Sequence, residues 1–109
     1  MSSSLPPLVA SYVQFMNAGD SETFAALFTP HATVRDEGHE HCGTAAIKAW
    51  LEDVHKKYQP TLEVTGLTDR GGETVVTGLV SGTFDGSPLE LHHYLTITDG
   101  KIVALTIKA

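Results

Sequence analysis

The sequence contains several side chains suited to proton transfer at a carbonyl compound, among them Asp36, Tyr12 and His92. Such a reaction needs a base within hydrogen-bond reach of an acidic C–H, and donors aimed at the oxygen on which negative charge develops. A carboxylate suits the first role, and a phenol or an imidazole suits the second. The chain therefore holds the residue types for acid–base catalysis, provided that the fold brings three distant positions together.

Asp36 is the candidate base. It follows an apolar and β-branched stretch at residues 32–34, and partial burial there would raise the pKa of its carboxyl group and make it a stronger base. The alternative is a structural role. Asp36 then pairs with Arg35, or it ends a strand on the surface beside Glu37 and Gly38.

Alternation along residues 89–98 places two sets of side chains on opposite faces of a predicted strand. One set comprises Leu91, His93 and Leu95, and the other comprises Glu90, His92, Tyr94 and Thr96. We expect the second set to face a cavity, where His92 and Tyr94 serve as polar anchors. If that face meets solvent or a partner subunit instead, both residues are structural.

Two aromatic residues, Trp50 and Phe28, are expected to bind the substrate as part of the pocket lining. A large aromatic side chain on an amphipathic helix is, however, more often part of the core. Tyr12 shares the helical spacing of Val9 and Met16, so its alternative role is that of a core tyrosine whose hydroxyl lies at the edge.

His39 and His41 suggest a metal site, because side chains at positions i and i+2 project from the same face of a strand. They would need Cys42 or His31 as a further ligand. The stretch is turn-rich and acidic, and is more simply a solvated hairpin. We therefore expect no metal and no cofactor. The sequence also lacks a phosphate-binding loop, a nucleophile elbow and a dinucleotide fingerprint.

Composition narrows the range of partners. The 109 residues include 13 acidic and 7 basic side chains, a formal charge of -6, so there is no basic surface for nucleic acid. No window reaches the roughly 18 apolar residues of a membrane span. The single cysteine, Cys42, cannot form an internal disulfide, which fits a reducing, cytoplasmic compartment. We expect one domain over residues 1–109.

The hydrophobic periodicity predicts helices before strands. Pro6 and Pro7 can start a helix that runs to about residue 18, Asp20 caps a short second helix that Pro30 closes, and Gly43 with Thr44 caps a third. Residues 32–37 and 39–42 are predicted to form a short hairpin. Four antiparallel strands follow, predicted at Thr61–Thr68, Thr74–Phe84, Leu89–Thr98 and Ile102–Ile107.

These elements make an α+β domain in which three helices from the N-terminal half cover one face of a curved sheet. The sheet is expected to be antiparallel or mixed. Gly78 and Gly82 indicate bends or bulges that curl it around a pocket.

Several segments together carry a family resemblance: residues 12–20 (YVQFMNAGD), 26–28 (ALF), 32–36 (ATVRD) and 43–47 (GTAAI). The chain resembles the nuclear transport factor 2-like superfamily, and within it the SnoaL-like and ketosteroid isomerase-like branch. The resemblance implies a cone of curved sheet, a cystatin-like roll, closed by helices around an apolar cavity in a homodimer.

The resemblance also implies an activity and roles for residues. Tyr12 matches a tyrosine that donates a hydrogen bond to the substrate oxyanion, and Asp36 matches the aspartate that moves the proton. His92 stands where that family has a protonated aspartate. The expected function is cofactor-free isomerisation, cyclisation, dehydration or epoxide hydrolysis of a small apolar molecule. The alternative is a non-catalytic ligand-binding or dimerisation module, because this fold hosts both classes.

Overall fold

The computed structural model describes residues 5–109 and contains three helices and six strands. The helices are α1 (Pro7–Ala18), α2 (Ser21–Ala25) and α3 (Thr44–Tyr58). The strands are β1 (Phe28–Asp36), β2 (His39–Cys42), β3 (Thr61–Arg70), β4 (Glu73–Ser81), β5 (Leu89–Thr98) and β6 (Lys101–Lys108).

The strands form one curved open sheet in the order β2-β1-β6-β5-β4-β3. Strands β3 to β6 are the predicted antiparallel meander, each pairing with the next along the chain. Strand β1 runs parallel to β6 and antiparallel to β2, so it joins the short hairpin to the meander. The predicted α+β class with a curved, mixed sheet is confirmed.

The curvature has local causes in β3 and β4. The register between these strands shifts between Val64 and Gly66, which marks a β-bulge. Gly78, opposite Val64, has no room for a side chain, because a Cβ atom would lie 2.6 Å from the Glu63 carbonyl oxygen. Gly78 is therefore required by its close approach to β3, and the bulge that was predicted at Gly78 lies on the neighbouring strand instead.

Two predicted boundaries were wrong. Pro30 does not close a helix but lies within β1, where the pairing with β6 is irregular between Phe28 and Thr33; proline is tolerated at such irregular positions because no ladder hydrogen bond is lost. Strand β4 ends at Ser81 rather than Phe84. The chain leaves the sheet there, because the Thr83 N–H donates a hydrogen bond to the Tyr58 carbonyl at 2.7 Å instead of to a neighbouring strand.

Helices α1 and α3 cover the concave face of the sheet. Helix α1 has a proline at its N-terminus, as predicted, and ends at Gly19 in the left-handed conformation. Asp20 caps α2 as predicted, accepting a hydrogen bond from the Thr23 N–H at 3.3 Å. Side chains from α1 and α3 are buried against the sheet, namely Val9, Tyr12, Met16, Ile47, Trp50 and Leu51.

Within residues 5–109, no helix is both long enough and apolar enough to cross a membrane.

Candidate functional site

A cavity of about 490 Å³ lies between the long helices and the concave face of the sheet. Its volume falls within the range of about 300–1,000 Å³ typical of small-molecule sites. Most of its lining is aliphatic or aromatic. The polar side chains that line it are Asn17, Asp36, Glu37, Tyr58, His93 and Lys108. The cavity therefore has the composition expected for an apolar ligand held by a few polar contacts.

His93 of β5 is the most deeply buried polar residue of this lining. It is 2% exposed, and its Nδ1 lies 2.7 Å from the hydroxyl of Tyr12, which is fully buried. Burial is the larger cause and the nearby charge of His92 the smaller, and together they lower the pKa of the His93 imidazole from 6.5 to about 4. His93 is therefore an uncharged imidazole at neutral pH.

The contact with Tyr12 determines which nitrogen of His93 carries the proton. Within residues 5–109 the Tyr12 hydroxyl has Nδ1 as its hydrogen-bond partner, and a buried O–H needs an acceptor. We assign Tyr12 as donor and Nδ1 as acceptor, so the proton of the neutral ring is on Nε2. His93 belongs to the cavity lining, and its Nε2–H is a buried donor without an acceptor among the described residues.

Asp36 ends β1 and lines the same cavity, half-buried. The Trp50 indole donates a hydrogen bond to its Oδ2 at 3.2 Å. Desolvation by burial is the largest influence and raises the pKa of the Asp36 carboxyl above its usual value, and the charge of Glu37 adds to the rise. The hydrogen bond from Trp50 and the charge of His41 act in the opposite direction. The result is a carboxylate with increased basicity.

The sheet register places Asp36 and His93 on the same face. Asp36 pairs with Ile107 of β6, and Ile107 pairs with His93. Because directly paired residues project from the same side of a sheet, all three side chains point towards the helices. Two strand spacings separate the Asp36 and His93 backbones, or about 10 Å. A base and a donor therefore stand on either side of an apolar residue.

The expectation that His92 and Tyr94 face the cavity was wrong. The structure places both on the convex face, where His92 Nδ1 lies 2.9 Å from the Thr77 hydroxyl and the Lys108 ammonium lies 5.0 Å above the Tyr94 ring. The alternation along β5 was correct, but the wrong set was assigned inwards. The sequence held a signal for the right choice, because His93 alternates with two leucines while His92 alternates with Glu90 and Thr96.

The other predicted residues divide between cavity and core. Trp50 lines the cavity, as expected. Phe28 does not; it is 3% exposed and packs in the core, with its ring centroid 5.2 Å from that of Phe24. Tyr12 lies behind His93 rather than in the lining, so it reaches the cavity only through that imidazole.

Glu37 and Tyr58 were missed from the sequence. Glu37 lies in the turn after β1 and Tyr58 ends α3, and both belong to the cavity lining. The Tyr58 hydroxyl donates towards Glu37 Oε1 over 3.5 Å. Tyr58 has the helical spacing of Trp50 and Val54 and so shares their face of α3, but nothing in the sequence shows which turn meets that face.

The proposed metal ligands do not form a cluster. His41 lies beside Trp50, with ring centroids 6.2 Å apart, whereas Cys42 is exposed and near Thr33. Residues 5–109 contain no group of three or more histidine, cysteine or acidic side chains able to hold a metal ion.

Comparison with known proteins identifies the family. The family model described as SnoaL-like domain matches residues 9–105. A crystal structure from Sinorhizobium meliloti, of a protein named provisionally as a polyketide cyclase, is 36% identical with 95% of each chain covered and a TM-score of 0.91. No curated protein matches the chain.

More distant structures share the fold. A protein from Kribbella flavida, named provisionally as a ketosteroid isomerase, is 21% identical over 93% of this chain and 73% of its own, with a TM-score of 0.78. A cystatin-fold protein from Novosphingobium aromaticivorans is 17% identical over 94% and 96%, with a TM-score of 0.79. The chain belongs to the SnoaL-like domain family and has the nuclear transport factor 2-like, ketosteroid isomerase-like fold.

Proposed function

We propose that the protein is an enzyme that performs cofactor-free acid–base chemistry on a small apolar carbonyl compound. Asp36 is the base, and the Nε2–H of His93 stabilises the oxygen on which charge develops. The observation that carries the proposal is the presence of a carboxylate of raised pKa and an unpartnered neutral N–H donor on one face of a single apolar cavity.

The reaction step is a proton transfer. The Asp36 carboxylate takes a proton from the carbon next to the carbonyl group, the C–H electron pair becomes a C=C bond, and the C=O π pair moves to the oxygen, which gives an enolate. The His93 N–H donates a hydrogen bond to the enolate oxygen. Asp36, now protonated, returns the proton to a different carbon, or the enolate carbon attacks a second carbonyl group of the same molecule, forming a C–C bond while that C=O π pair moves to its oxygen, which takes the proton from Asp36. The first outcome is an isomerisation and the second a cyclisation.

Tyr12 is a positioning residue in this proposal. Its hydroxyl donates to His93 Nδ1 at 2.7 Å and so keeps the proton of the imidazole on Nε2. This differs from the role that the family resemblance implied, in which the tyrosine contacts the oxyanion itself. Complete burial of Tyr12 behind His93 supports the indirect role.

The similar structures support the reaction class. The protein from Sinorhizobium meliloti named provisionally as a polyketide cyclase covers nearly the whole chain at 36% identity. Cyclisation of a polyketide and isomerisation of a ketosteroid both proceed through enolates, so one base and one oxyanion donor serve either reaction. The substrate class that we propose is a ketone or enone with an apolar ring.

The second candidate is a binding protein that uses the same cavity without catalysis. In that case Asp36 and His93 only orient a ligand. The largely apolar lining and the absence of charge on His93 suit this alternative equally well.

Deuterium exchange distinguishes the two candidates. 2-Tetralone, an apolar ring ketone with acidic C–H groups, is incubated with the protein in D₂O and its proton spectrum is followed. We expect the wild type to accelerate exchange, and Asp36→Asn to lose about 10²–10⁴ of that rate with ligand affinity retained. Asp69→Asn, an exposed change on β3, is the matched control. Binding of 2-tetralone without accelerated exchange would favour the binding protein.

We further propose that the chain forms a homodimer through the convex face of the sheet. This face carries Val75, Thr77, His92 and Tyr94 from two neighbouring strands, and the helices cover only the concave face. Light scattering at micromolar concentration tests the proposal. A dimer that Tyr94→Glu dissociates is the expected result, and a monomeric wild type would contradict it.

A further inference from the structure

The turn between β1 and β2 forms part of the cavity rim, and its sequence is unusual for its geometry. Its two central residues, Glu37 and Gly38, have φ angles of +52° and +76°. A two-residue hairpin with two positive φ angles favours asparagine followed by glycine. Gly38 meets the requirement, but the left-handed conformation disfavours a glutamate. Glu37 thus occupies a position that local backbone preference would give to another residue.

The side chain of Glu37 is directed towards the cavity. Glu37 belongs to the lining, and its carboxylate is 3.5 Å from the Tyr58 hydroxyl. Asp36 precedes it in the same lining. The third charged side chain of the lining is Lys108, whose ammonium group lies over the Tyr94 ring on the convex face. The other charged side chains of the lining, Asp36 and Glu37, are acidic.

The deep end of the cavity has a different character. The uncharged imidazole of His93, a residue that is 2% exposed, belongs to the lining there, and its buried Nε2–H has no partner among the described residues. A neutral N–H suits a carbonyl oxygen, which loses little on leaving water. A carboxylate would lose much more of its hydration and would find no cationic side chain of the described lining at that depth.

We propose that Glu37 is a specificity-determining residue that makes the cavity reject organic anions and accept uncharged molecules. The inference rests on the proposed function in one respect, because both assume that a small molecule binds in this cavity. It concerns binding rather than turnover, so it is tested without a reaction. Electrostatic repulsion from the rim acts on a ligand as it enters and after it is bound, because the Glu37 carboxylate borders a cavity whose lining is largely apolar.

Two naphthalene probes of similar shape measure this selectivity. Naphthalene-2-carboxamide is uncharged and naphthalene-2-carboxylate is anionic, and both are titrated by their fluorescence in a neutral buffer of low ionic strength. We expect the wild type to bind the carboxamide at least about tenfold more tightly. Added salt should reduce the preference, because it screens charges at an exposed rim.

Substitutions assign the selectivity to Glu37. In Glu37→Gln the carboxylate affinity should rise about fivefold while the carboxamide affinity stays unchanged. Glu37→Asn, which suits the turn better, should give the same gain and a fold at least as stable as the wild type. Glu22→Gln, an exposed change of equal charge on α2, is the control and should leave the ratio unchanged.

The outcomes separate this inference from the enzymatic proposal. An unchanged ratio in both Glu37 variants would overturn the inference, as would a wild type that binds the carboxylate as tightly as the carboxamide, or that binds neither probe. If the ratio responds to Glu37 but 2-tetralone shows no accelerated exchange, the specificity role stands and the enzymatic proposal fails. The converse result rejects the specificity role alone.

Discussion

Asp36 and His93 pair with the same residue, Ile107, from its two sides, so that a carboxylate on β1 and an imidazole on β5 stand level across the concave sheet. The separation is set by backbone hydrogen bonds rather than by loops. A site whose groups are held by a sheet keeps its geometry without a ligand, which favours a preorganised base and donor.

Asp36→Asn should have opposite effects on activity and stability. The folded state keeps a half-buried carboxylate whose pKa is raised by desolvation, so its charge costs stability at neutral pH. Asparagine removes the charge and retains an oxygen that can accept from Trp50. We expect equal or higher unfolding free energy in urea together with loss of turnover. A clear fall in stability would show that the carboxylate is structural.

The pH dependence of turnover should follow Asp36. Its base form is lost as pH falls through the raised pKa, so the acid limb of kcat/KM should lie above 3.8, the ordinary pKa of an aspartate carboxyl group. Glu37 contributes to the rise, and His41 and the Trp50 hydrogen bond oppose it. Glu37→Gln should therefore move the limb to lower pH. An acid limb unaffected by Glu37→Gln and by Asp36→Glu would assign the titration to another group.

His93 should make the fold sensitive to acid. Its folded pKa of about 4 is below the ordinary value of 6.5, so the unfolded chain binds the proton more tightly and stability falls as pH drops between those values. The full loss amounts to about 3 kcal/mol. His93→Gln retains an acceptor for Tyr12 but does not titrate. Between neutral pH and pH of about 4, the wild type should therefore lose about 3 kcal/mol more unfolding free energy than the variant. A difference between the two proteins that stays constant with pH would contradict a buried neutral imidazole at position 93.

Tyr12→Phe should alter the tautomer of His93. Without the hydroxyl, Nδ1 loses the donor that keeps it unprotonated, and the Nδ1–H form gains population. Nitrogen-15 NMR of the imidazole reports this directly, and a purely structural tyrosine would leave the spectrum unchanged. Turnover should fall by about 10–10², and combining the change with His93→Phe should add little, because both remove one interaction.

Sequence patterns predicted the fold better than the site. Period-two alternation, the cap at Asp20 and the turns between strands depend on neighbouring residues, so β3 to β6 and the three helices were predictable. The parallel pairing of β1 with β6 was not predictable, because it depends on residues some seventy positions apart. The same alternation predicted the two faces of β5. Which face points inwards depends on the helices that pack against the sheet, so His92 was predicted to face the cavity where the structure has His93.

Asp36 and Glu37 illustrate the difference between what local sequence patterns predict and what depends on distant parts of the chain. The apolar stretch before Asp36 predicted that it would be partly buried, and the structure agrees. Glu37 looked like a surface residue in a turn, and it is exposed. Its role in the rim follows from where the turn meets the end of α3, which no local pattern encodes.

The most direct test of the central idea, that Asp36 and His93 act on one bound molecule, is a crystal structure of the protein with 2-naphthol, an aromatic analogue of an enol. We expect the naphthol oxygen to accept a hydrogen bond from His93 Nε2 at about 2.7–3.2 Å, with a ring carbon facing the Asp36 carboxylate. A naphthol bound with its oxygen at the rim, or an Asp36 side chain turned away from the ligand, would contradict it.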